Sequence, residues 1–105
     1  MTEQLLVAIA AESIREDLVD VLIGLESVSG FSLATIDGYS RSHSEYDLKE
    51  QVAGYRRLCR LEVLHRPDQQ ATLLQALQAV CEASPVRYWI TPVTEGGHLG
   101  GTSPI

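Results

Sequence analysis

No apolar run in the 105-residue sequence approaches the ~20 residues that crossing a bilayer requires. Met1-Thr2-Glu3-Gln4 lacks the basic n-region of a signal peptide, which points to the cytoplasm. Base is scarce: eight Lys and Arg stand against fourteen Asp and Glu, a formal charge of −6. That balance argues against a general nucleic-acid binder, which needs surplus positive charge to neutralise phosphates. Two cysteines, Cys59 and Cys81, are too few for a disulfide framework and fit a reduced compartment. There is no nucleophile elbow, P-loop or carboxylate pair at a defined spacing, so no catalytic set emerges and the expectation is a protein that is not an enzyme. What remains is 45% apolar and 21% charged, the composition of one small globular domain.

Gln4–Ala11 is a continuous apolar run of strand length, suited to a strand covered on both faces. Ser13-Ile14-Arg15-Glu16 has the form of a capping box. Behind it Ile14, Leu18, Val21, Leu22 and Leu25 form one stripe of an amphipathic helix. Residues 31–39 read as a second strand, 55–64 as a third and 87–94 as a fourth. Between the last two, Asp68 is the expected N-cap of a second helix that buries Leu73, Leu74, Leu77, Val80 and Cys81. Residues 40–54 are polar and lack periodicity, and a connection that long in so small a domain points to function.

The resulting order, βαββαβ, is the split βαβ of ferredoxin-like α+β folds, with two helices on one face of an antiparallel four-stranded sheet. The domain is expected over residues 1–94, followed by a mobile glycine-rich tail over 95–105. Both parities of the strands are apolar: Leu5, Val7 and Ile9 oppose Leu6, Ala8 and Ala10. A sheet face of that kind is costly to leave in water. A homo-oligomer that buries it is the simplest solution.

Ser29-Gly30-Phe31-Ser32, Gly38-Tyr39-Ser40-Arg41 and Leu61-Glu62-Val63 through Pro67-Asp68 resemble the PII signalling superfamily. Glu50-Gln51-Val52-Ala53-Gly54 followed by Tyr55-Arg56-Arg57, and Tyr88-Trp89-Ile90-Thr91-Pro92-Val93 leading into Glu95-Gly96-Gly97, are similar to a PII-like subgroup encoded beside heavy-metal cation efflux systems. Related PII-like proteins accompany inorganic-carbon uptake. The resemblance implies a homotrimer with clefts between subunits that bind a small anionic effector. It also implies that residues 40–54 are the T-loop, which docks on a membrane transporter and brings the cytoplasmic protein to the membrane.

Carried over residue by residue, the resemblance makes Gly38, Tyr39, Ser40 and Arg41 the exit of strand two, with Arg41 in the phosphate-reaching position. Guanidinium suits an anion because it presents a fixed fork of donors. Arg87 stands at the position of the family's phosphate-binding lysine, but Ala83-Ser84-Pro85-Val86 replaces the glycine-rich cradle. AMP, ADP or bicarbonate is therefore the expected effector rather than a triphosphate, with His98 of the tail near the cleft. Ser42 stands where the 2-oxoglutarate response requires glutamine, so that response is not expected. Tyr46 and Leu48 are the expected docking residues. His43, Glu45 and Asp47 alternate nitrogen and oxygen donors in the loop, a set for a divalent ion, against the plainer reading of a solvated polar loop. His65 is expected at a strand end, partly buried; Trp89, Cys59 and Cys81 are expected in the core.

Overall fold

The computed structural model describes residues 3–39 and 55–100. The apolar run Gln4–Ala11 forms β1, and Phe31–Gly38, Arg56–His65 and Arg87–Pro92 form β2, β3 and β4. Arg15–Ile23 is α1 and Gln70–Val80 is α2. The sheet order is β2-β3-β1-β4 with every pairing antiparallel. This is the ferredoxin-like α+β architecture expected from the order of elements. A strand apolar on both parities is suited to the interior of a sheet, and β1 lies between β3 and β4.

One face of the sheet is covered by the helices. Leu6, Ala8 and Ala10 of β1 and Cys59, Leu61 and Val63 of β3 are buried there against Leu18, Leu22, Leu73 and Leu77. These four helical leucines belong to the stripes read from the 3.6-residue period. Each such side chain contributes about 1.5–3 kcal/mol on leaving water. Cys81 is less buried than expected, because α2 ends at Val80 and Cys81 caps it.

Both helix starts differ from the expected caps. Ser13 lies within a 3-10 turn, Glu12–Ile14, and Ile14 occupies the N-cap of α1 without a side-chain cap. The Glu12 carboxylate takes over this junction. Its Oε1 lies 3.2 Å from Arg15 Nη1 and accepts from Thr35 Oγ1 at 3.3 Å, tying the turn to β2. Asp68 does not cap α2 either: it sits inside a second 3-10 turn, Pro67–Gln69, and accepts from Arg66 Nε at 3.2 Å. Gln69 holds the N-cap position of α2 without a side-chain cap; its Oε1 instead accepts from Arg66 N at 2.9 Å, closing the 3-10 turn.

Candidate effector site on the uncovered sheet face

Side chains alternate along a strand, so the partners of the core residues point to the face without helices. There β1 contributes Leu5, Val7 and Ile9. Register sets Leu64 beside Leu5, Glu62 and Trp89 on either side of Val7, and Arg60 and Arg87 on either side of Ile9. Ala34 and Ile36 of β2 continue the apolar surface beside Arg60 and Leu58. Leu64 is 41% exposed and Trp89 38% exposed, whereas Val7 between its neighbours is nearly sealed at 2%.

Three charged side chains interrupt this face. Arg60 Nε bonds Glu62 Oε2 at 3.1 Å, an exposed pair of small net worth. The Arg87 guanidinium lies over the Trp89 ring, 5.7 Å from its centroid, in reach of a cation–π attraction. Trp89 is therefore not a core residue, contrary to the expectation from its apolar character. It points away from the helices on an edge strand, where β1 is the single neighbouring strand. Its partnership with Arg87 was readable as a two-residue spacing on a strand, which sets both side chains on one face.

The residues at the β2 exit divide. Gly38 pairs with Arg56 at the end of the β2–β3 ladder. A Cβ there would lie 3.2 Å from Leu58 Cγ, so packing already accounts for a glycine. Tyr39 is exposed, and its ring lies 5.9 Å from that of Tyr55, an aromatic pair closing the base of the loop. Next to it Arg57 meets Asp37 at 3.6 Å. The hydrogen bond to Tyr55, then the charges of Tyr55 and Asp37, raise the Arg57 pKa further. Ser40, Arg41, His43, Glu45, Tyr46, Asp47 and Leu48 lie outside the described residues. Among the described residues no group of three or more His, Cys, Asp or Glu side chains is placed to hold a metal. Arg87 and the β2 exit stand on opposite edges of the sheet: register sets Arg87 level with Ala34, three strand spacings or roughly 14 Å across, and Gly38 lies four residues, roughly 13 Å, farther along β2. His98 is exposed in the tail, and His65 is more deeply buried than expected, at 2%.

Cys59 lies in the core, its Sγ 3.9 Å from the Ala11 carbonyl oxygen. Burial pushes both the Cys59 and the Cys81 thiol up, and Glu12 adds to the shift at Cys59. The neutral thiols are thus favoured in the fold. Their contribution is whole below the pKa of an unfolded thiol, ~8.5, and is lost as pH rises past it towards the folded value. Urea melts at pH 7.5, 8.5 and 9.5 are expected to show stability falling with pH. The slope should be shallower in Cys59→Ala and shallower again when Cys81→Ala is added.

The fold agrees with known structures. A crystal structure of a DUF3240 family protein from Shewanella baltica superposes with a TM-score of 0.79 at 48% identity, covering 95% of this chain and 99% of that one. CPII, a nitrogen regulatory PII-like protein from Thiomonas intermedia whose structure holds ADP, AMP and bicarbonate, superposes with a TM-score of 0.69 at 16% identity. That alignment covers 94% of this chain and 98% of CPII. None of the curated proteins matches the chain. No helix among the described residues is long and apolar enough to cross a membrane. Residues 1–100 match the family described as "Protein of unknown function (DUF3240)", and with a relative 48% identical over nearly its whole length, the chain belongs to the DUF3240 family and has the PII-like ferredoxin fold.

Proposed function

We propose that the protein is a homotrimeric regulator that takes up a small anionic effector between protomers. Through residues 40–54 it acts on a membrane transporter, and the subgroup resemblance points to metal-cation efflux. The observation that carries this reading is Arg87 held over Trp89 at the rim of an uncovered, largely apolar sheet face. Contact between copies removes that face from water, and the two edges of the sheet then meet across a boundary. Arg87 of one copy comes to the loop exit of the next, where Arg41 follows Gly38 in sequence. Two guanidinium groups facing one cleft attract an anion and repel each other without one. CPII, with ADP, AMP and bicarbonate bound, supports ligands of that size and charge.

Titration calorimetry with AMP, ADP, ATP and bicarbonate tests this. AMP, ADP or bicarbonate is expected to bind. Arg87→Ala and Arg41→Ala should each weaken binding about tenfold or more, a loss of ~1.4 kcal/mol, as expected when a charge-assisted hydrogen bond is removed. Unchanged affinity in both variants would remove the cleft from consideration. Heat with copper, zinc or cobalt ions and none with the anions would instead favour a divalent-metal role for His43, Glu45 and Asp47.

A further inference from the structure

At the end of the core away from the loop, three buried polar atoms have no hydrogen bond among the described residues: His65 Nε2, Gln4 Oε1 and Ser27 Oγ. They come from three segments that the fold brings together. Gln4 and His65 are register partners on β1 and β3. Both point to the helix side, because Leu6 and Val63, two residues along, are core. Ser27 belongs to the connection from α1 to β2. Its carbonyl oxygen accepts a 2.7 Å hydrogen bond from Gln69 Nε2. Gln69 in turn holds Arg66 N, the residue after His65.

The donors and acceptors do not match among themselves. His65 Nδ1 lies 3.3 Å from the Val63 carbonyl oxygen. A carbonyl only accepts, so Nδ1 carries the hydrogen and Nε2 of the neutral ring is a bare acceptor. Gln4 Oε1 is a second acceptor. Two acceptors cannot bond each other, and the Ser27 hydroxyl has one hydrogen. We propose that this end of the core is a binding site for a single water molecule. The water donates one hydrogen to His65 Nε2 and the other to Gln4 Oε1, and it accepts the Ser27 O–H. Three partners is the usual number for a buried water. This water ties β1, β3 and the α1–β2 connection at one point, independently of what the opposite end of the sheet binds.

Two measurements on the full chain test the site. In a high-resolution crystal structure, a water is expected within ~2.7–3.2 Å of all three atoms. In imidazole nitrogen NMR, His65 is expected as the tautomer protonated on Nδ1, with a water cross-peak to its ring. Ser27→Ala, at a loop position, should keep the fold and the tautomer while weakening that cross-peak through faster water exchange. A Gln4 amide turned so that its NH2 donates directly to His65, a protonated Nε2, or no water at the three atoms would each overturn the proposal.

Discussion

Leu61→Ala is expected to lower the stability of the domain by about 2–5 kcal/mol, a large share of the 5–15 kcal/mol typical of a whole domain. Leu61 has no exposed surface. It sits on β3 between Ala8 of β1 and Leu33 of β2, on the face that α1 and α2 cover. Its small neighbour Ala8 is backbone-bound in the ladder, so the surroundings have little means of collapsing into the space. The loss is the transfer free energy of the deleted atoms plus the cost of the cavity. Urea denaturation at fixed protomer concentration checks it, because association would add to apparent stability. A midpoint within experimental error of the parent would show that this part of the core is not closely packed.

Leu64→Glu is expected to leave the protomer folded and to abolish the oligomer. Leu64 is next in sequence to core Val63 but points to the uncovered face, where it lies beside Leu5. At 41% exposure the new carboxylate keeps its water in an isolated protomer. Inside an interface it would be buried without a partner, which costs several kcal/mol per charge. Light scattering of the parent should give about three times the 11.5 kDa chain mass, and of Leu64→Glu one chain mass with an unchanged circular dichroism spectrum. Ile23→Glu, at an exposed site at the end of α1, should keep the parent mass. A parent that is monomeric at micromolar concentration, or a Leu64→Glu variant of unchanged mass, would refute the proposed interface.

The strands and helix stripes were legible because burial imposes a period. The four strands start within one residue of where the apolar pattern placed them, and Leu18, Leu22, Leu73 and Leu77 are the buried part of the helical stripes. The caps were not legible. Ser13 and Asp68 have suitable side chains, but the backbone passes through a 3-10 turn before each helix, so neither reaches the N-cap. What holds these junctions is long-range, Glu12 to Thr35 and Gln69 to Ser27, and no local pattern announces it. The uncovered face was legible in β1 as apolar residues on both parities. The position of Trp89 on that face depended on β4 becoming an edge strand, which follows from sheet order rather than from its own sequence.

The central place of β1 bears on the order in which the chain can fold. Ala8 finds its neighbours Leu61 and Tyr88 about half and three-quarters of the chain later in synthesis. Such pairings repay the entropy of closing long loops only after the loops are closed. Until β4 is made, β1 has one open edge bordering Leu5, Val7 and Ile9, a hydrophobic strand available to other chains. The most apolar strand is thus also the one exposed longest while the protein is being made. A chain interrupted before Arg87 would keep β1 as its outer strand, and its first available partner would be another copy.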